Sequence, residues 1–125
     1  MRYGGLGVAR SLGRAGVPVY AIGTMPGAGL RSRYWTRTFI WDLVGRSPRD
    51  TVTFLHEVAK TIGRRAILIP TTDIGATVVA GAGAELEESF DFPKVDPDRL
   101  RMMINKQEMS ALATRLGVPT AQVSV

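Results

Sequence analysis

Between Arg65 and Thr71 the chain reads Ala66-Ile67-Leu68-Ile69-Pro70, an unbroken apolar run with no residue suited to face water. Such a run is expected of a parallel strand covered by helices on both faces. Its flanks agree with that arrangement. Ser47 and Pro48 make a cap and a first helical turn, Val52, Leu55, Val58, Ala59 and Ile62 share one helical face, and Gly63 ends the pattern. On the other side Thr72-Asp73 opens a helix of small residues, with a break expected near Gly81-Ala82-Gly83. The same alternation recurs along the chain. Val17–Ile22 and Thr38–Trp41 read as strands, and Phe90–Pro93 reads as a short extended piece. Val8, Leu12 and Ala15 form a helical stripe closed by Gly16. Asp96-Pro97 caps a helix carrying Leu100, Met103 and Ile104, and a last helix from about Lys106 to Leu116 presents Met109, Leu112, Ala113 and Leu116. Strands alternating with helices imply right-handed crossovers and an open α/β sheet.

Several functional classes are excluded or disfavoured by composition. The chain has 125 residues, no cysteine and one histidine, so neither a disulfide framework nor a thiolate metal site can form. No apolar run approaches the roughly 20 residues of a membrane span, and no apolar stretch of a signal peptide follows Met1-Arg2. The expected location is the cytoplasm, with no membrane partner. The net charge of +5 is uneven: residues 1–41 hold six arginines and no acid, while the rest is nearly balanced. The arginines are scattered and aromatics are few, which disfavours nucleic acid and suits a local site for phosphate or carboxylate groups.

Four segments are candidates for such a site. Gly4-Gly5-Leu6-Gly7 is expected as a loop before a helix, either an anion cradle of backbone amides around Gly4, Gly5 and Gly7 or a plain strand-to-helix turn. As a dinucleotide fingerprint it is deficient. Arg10 stands where the third glycine belongs, and no acid follows about twenty residues on, since the first acid is Asp42. An NAD-linked oxidoreductase is therefore the weakest reading. Arg31 and Arg33, in Arg31-Ser-Arg-Tyr-Trp35, either present guanidinium groups to an anion beyond a strand's carboxyl end or form a solvated basic loop. Thr72 and Asp73 follow the apolar strand and serve first as helix caps, second as site residues. Lys106 opens the last helix. His56 reads as a surface residue, and Met102, Met103 and Met109 read as core filling.

Taken in order, these segments resemble the N-terminal pre-ATP-grasp domain of ATP-grasp carboxylate–amine ligases, of the carbamoyl-phosphate-synthase-like and D-aspartate-ligase-like kinds. The likeness is carried by Gly4-Gly5-Leu6-Gly7-Val8-Ala9-Arg10-Ser11-Leu12, Gly16-Val17-Pro18-Val19, Ser32-Arg33-Tyr34, Ile69-Pro70-Thr71-Thr72-Asp73, Asn105-Lys106-Gln107-Glu108-Met109 and Gly117-Val118-Pro119-Thr120. The resemblance implies a Rossmann-like open parallel sheet with helices on both faces over residues 1–95. Residues 96–125 would be a helical linker and the start of an ATP-grasp module. It implies ATP and Mg2+ as cofactors, held mostly outside this chain, with Lys106 as the nucleotide-binding position. The partners would be a small carboxylate substrate, ATP and an ATP-grasp domain in the same or a separate chain. Phosphoryl transfer needs metal-binding acids and a cage of cations, which this stretch does not contain. The alternative is a non-catalytic module that binds a nucleotide or small anion. A glycine loop that opens a helix also needs a strand before it, and only Met1-Arg2-Tyr3 stands there. The expectation is a truncated first strand, with Met1 an internal start.

Overall fold

The computed structural model describes residues 3–24 and 28–119. The order of elements is α1 (Tyr3–Arg14), β1 (Tyr20–Gly23), a short 3-10 turn (Ala28–Arg31), β2 (Arg37–Ile40), α2 (Pro48–Ile62), β3 (Ala66–Ile67), α3 (Asp73–Gly81), α4 (Gly83–Leu86), β4 (Phe90–Asp91), α5 (Pro97–Ile104) and α6 (Lys106–Arg115). Met1 and Arg2, read above as the remnant of a first strand, and Thr120, read as part of a motif, lie outside the described residues.

The chain is of mixed α/β type, with small parallel sheets. The strands form two separate parallel pairs. β1 pairs with β2 from Tyr20 opposite Arg37 to Gly23 opposite Ile40, and β3 pairs with β4 through Ala66–Phe90 and Ile67–Asp91. One core serves both pairs. Val52 and Leu55 of α2, Val79 of α3, Leu86 of α4 and Phe90 of β4 form a buried cluster, and Ile22 of β1 with Ala66 and Leu68 pack against it.

Helix α2 follows its sequence signals closely. Ser47 accepts the Asp50 N–H at 3.1 Å, Pro48 takes the first turn, and Gly63 ends the helix at φ 71° with its N–H on the Ala59 carbonyl. A left-handed residue there is cheap only for glycine. The helix buries Thr51, Val52, Leu55 and Val58. Thr51 is satisfied twice: it donates to the Ser47 carbonyl at 3.1 Å and accepts the Trp41 indole N–H at 3.2 Å. Trp41 in turn stacks on Phe54 at 4.3 Å between centroids. The break near Gly81–Gly83 is present, as α3 gives way to α4 at Ala82.

Three expectations are corrected. Gly4, Gly5 and Gly7 are not in a loop but inside α1, which starts at Tyr3. None of them has positive φ, a conformation found here at Gly16, Gly63 and Gly117. The reason is burial: Gly5 and Ala9, four residues apart, lie on one inward helical face with no side chain to hold Gly5 away from its neighbours. The run at Ala66–Pro70 is covered on one face only. Ala66 and Leu68 face the core, whereas Ile67 is 73% exposed and Ile69 46%. Met103 and Met109 are not core filling, since they are about half exposed on α5 and α6, which bury no residue fully, whereas Met102 is half-buried.

Glycines inside helices differ in what they tolerate. A Cβ at Gly7 would meet nothing within 4 Å. A Cβ at Gly13 would sit 2.8 Å from the Tyr34 Cβ and 3.0 Å from its ring. Gly7→Ala is therefore expected to stabilise the chain by about 0.5–1 kcal/mol through helix propensity. Gly13→Ala gains the same term but must displace the root of a side chain, an overpacking cost of about 1–3 kcal/mol, and should be a net loss. Urea titration of the two variants checks this; equal midpoints would show that the Tyr34 contact imposes no constraint.

Candidate functional site

The termination of α1 determines where the arginines meet. Val17 N–H bonds to the Leu12 carbonyl at 3.1 Å and Gly16 N–H to Gly13 at 3.2 Å, with Gly16 at φ 74°. This Schellman turn swings the chain from α1 into β1 and leaves Arg14 at the helix end. Across from it, the approach to β2 is tied to β1: Thr36 N–H donates to the Val19 carbonyl at 2.7 Å, and Val19 N–H donates to Thr36 Oγ1 at 3.1 Å. Trp35 is fixed by its indole N–H on the Gly29 carbonyl at 2.7 Å. Tyr34 is thereby laid against Gly13, between two guanidinium groups.

Arg33 Nη2 donates to the Tyr34 hydroxyl at 3.1 Å and its guanidinium lies 5.1 Å from the ring centroid; that of Arg14 lies 6.0 Å from it. The phenol is held down to about 8, first by the hydrogen bond from Arg33 and then by Arg14, against a smaller opposing effect of burial. The same contact raises the Arg33 pKa. An open depression of about 280 Å³ adjoins the pair, lined by Gly13, Gly16, Val17, Pro18 and Arg33–Thr36. Two cations and an ionisable phenol at its edge suit a small anion or an acidic group. A larger open depression, about 650 Å³, lies along the far half of α2 by His56, Lys60, Arg64, Arg65 and Glu88. Its charges are mixed in sign, and His56 is engaged by Glu85 at 3.3 Å.

The expected site residues are not gathered in one place. Arg33 lies at the amino ends of β1 and β2, beside Val17 and Pro18, not at the carboxyl ends where it was expected. The loop after β1 returns along the sheet before β2 begins, so positions late in that loop change ends. Arg31 follows Leu30, whose side chain lies against Gly23 at the carboxyl end of β1. Thr72 is the N-cap of α3, its Oγ1 accepting the Gly75 N–H at 3.1 Å, and Asp73 is the first residue of that helix. Thr72 carries the capping role, and the Asp73 carboxylate lies in the first turn, where it complements the helix dipole. The amides of Gly4, Gly5 and Gly7 belong to the first two turns of α1 and not to a loop ahead of it.

Lys106 is exposed at the first position of α6. Asn105 caps that helix, accepting the N–H groups of Gln107 and Glu108 at 3.0 and 3.4 Å. Glu108 is held by Asn105 at 3.0 Å and by Arg101 at 3.2 Å. A cation in a first helical turn opposes the helix dipole, at about 0.3–1 kcal/mol. α5 rests on α3, and α6 packs against α5. Sequence reasoning missed Arg14 and Tyr34 as partners of Arg33. The available signal was a Gly16 cap that brings the end of α1 to the start of β1.

Among the described residues no helix is long and apolar enough to cross a membrane, and no group of three or more His, Asp or Glu side chains converges as metal ligands do. No family model, curated protein or solved structure matches this chain.

Proposed function

We propose that this chain is the substrate-side, Rossmann-like domain of an ATP-dependent carboxylate–amine ligase that works through an acyl phosphate, and that it is not catalytic alone. The observation that supports this most is Lys106. It stands exposed at a capped helix start, where its charge is electrostatically unfavourable for the helix, within the Asn105-Lys106 sequence on which the family resemblance rests. ATP and Mg2+ would be held mainly by an ATP-grasp domain. This chain offers Lys106 as one cation towards the phosphates, and among the described residues no group of three or more His, Asp or Glu side chains converges as metal ligands do.

The purified chain, given ATP, Mg2+ and mixed carboxylates and amines, is expected to form no ADP above a contaminant control. Steady turnover would overturn the reading. With its ATP-grasp domain present, Lys106→Ala should weaken ATP binding, while Lys106→Glu in the chain alone should stabilise it by about 0.3–1 kcal/mol. Unchanged ATP affinity removes Lys106 from the site. The DNA around the reading frame is a further test: an ATP-grasp sequence in frame or adjacent downstream is expected.

A second reading, a non-catalytic module for a small anion, is favoured by the Arg14–Tyr34–Arg33 arrangement. Calorimetric titration with phosphate and citrate separates the two. Binding that Arg33→Ala abolishes, with no ATP-grasp partner encoded nearby, selects the module.

A further inference from the structure

Residues 1–41 contain six arginines and no acid, so the guanidinium groups around the turn from α1 into β1 have no carboxylate within that stretch to pair with. Among the described residues neither Arg14 nor Arg33 makes an ion pair. Both are turned onto one side chain instead. Their guanidinium carbons stand 6.0 and 5.1 Å from the Tyr34 ring centroid, and Arg33 Nη2 donates to the hydroxyl at 3.1 Å. The ring is held there by close packing on Gly13, where a Cβ would fall 2.8 Å from the Tyr34 Cβ, and by the Trp35 anchor on the Gly29 carbonyl. A phenol oxygen that accepts from Arg33 still has its own proton to give. With that proton in place, two cations and one O–H donor meet beside the open depression of about 280 Å³. With the proton gone, the same oxygen is an anion among the cations and offers no donor.

We infer that Tyr34 is the built-in counter-ion of a small-oxyanion site: its phenolate and a bound oxyanion compete for Arg14 and Arg33, so the ligand binds the protonated phenol and is released as the phenol ionises. The inference rests on the small-anion reading of this cluster and adds the group that regulates it. The charges facing the hydroxyl are of one sign. α1 brings Arg14, with Arg10 one helical turn before it, and the segment leading into β2 brings Arg33. The turn into β1 contributes Val17 and Pro18, and the approach to β2 contributes Trp35 and Thr36, none of which titrates. Arg37 is directed elsewhere, over the Phe39 ring at 5.2 Å. Guanidinium groups stay charged throughout, so Tyr34 is the member of the cluster whose charge changes. The cations hold its midpoint down to about 8, chiefly through the Arg33 hydrogen bond. Linkage makes the effect reciprocal: ionisation of Tyr34 weakens the ligand, and the ligand raises the Tyr34 midpoint.

Calorimetric titration of the 125-residue chain with sulfate, and separately with acetate, tests this at fixed ionic strength, since neither anion changes charge in the alkaline range. Sulfate reports a tetrahedral oxyanion and acetate a planar one, and the tighter ligand identifies the class. From about pH 7 to about pH 9 its affinity is expected to fall about tenfold, the loss for a ligand that binds only the protonated phenol when the midpoint is about 8. Tyr34→Phe keeps the ring against Gly13 and between the guanidinium groups, and its affinity should be the same at both pH values. That variant also controls for the α-amino group, which titrates in the same range. In the intact chain, saturating ligand should move the tyrosinate absorbance midpoint upward. Binding that does not weaken with pH, or weakening that persists in Tyr34→Phe, overturns the inference and leaves the anion site standing. Binding of neither anion at the lower pH removes the site and the inference together.

Discussion

Leu86→Ala is expected to cost about 2–5 kcal/mol, among the largest effects of any single truncation at the described residues. Leu86 is 0% exposed, the one large side chain fully buried among the described residues, and it sits among Val52, Leu55, Val79 and Phe90. Those neighbours come from α2, α3 and β4, so the side chain fills the point where the main helix, the small-residue helix and the second strand pair meet. Domains of this size hold about 5–15 kcal/mol in total. With Ile67 and Ile69 uncovered, this one is expected near the lower limit. Urea unfolding followed by tryptophan fluorescence reads the loss, since Trp41 is bonded to Thr51 of α2. Leu116→Ala, at a residue 68% exposed, should stay within about 0.5 kcal/mol. Equal costs for the two would mean that the core is not centred on the α4 junction.

The second large effect is on ionisation. Tyr34 is expected to titrate at about 8, where an isolated phenol has a pKa of 10.0. The hydrogen bond from Arg33 is the first cause, so Arg33→Ala should return the midpoint most of the way, an up to about hundredfold change in the acid constant. Ultraviolet difference titration at the tyrosinate band measures it, with Tyr34→Phe identifying the signal. The guanidinium groups are solvent-accessible, so molar salt should also move the midpoint upward. The folded pKa lies below the unfolded one. Between pH 8 and 10 the folded chain holds fewer protons, and unfolding takes one up. The contribution of Tyr34 to stability is therefore complete above pH 10 and is lost as pH falls through about 8. A midpoint at 10 in the intact chain would show that the arginines do not engage the hydroxyl in solution.

Much of this molecule is local. The Ser47 cap, Pro48, the Val52-Leu55-Val58 face and the Gly63 terminator specify α2 through interactions within a few residues, and the structure follows them. The caps at Thr72, Asp96 and Asn105, and the break at Ala82, are local in the same sense. Lys106 at a helix start was likewise legible, because an Asn-Lys pair before a helical stripe fixes its position. The rest depended on which segments come together. Gly4-Gly5-Leu6-Gly7 has one pattern for a loop and for a helix, and the burial of Gly5 and Ala9 on one face decided for helix. Arg33 was in view as a cation, but its place at the amino ends of the strands depended on how the 23–37 connection runs back along β1. Its coupling to Arg14 and Tyr34 required the α1 turn to bring together residues about twenty apart. The apolar run at Ala66–Pro70 states that both faces seek cover, and only the assembled structure shows that one face has it. Periodicity records what a strand can bury, whereas actual burial is settled by neighbours distant in the chain.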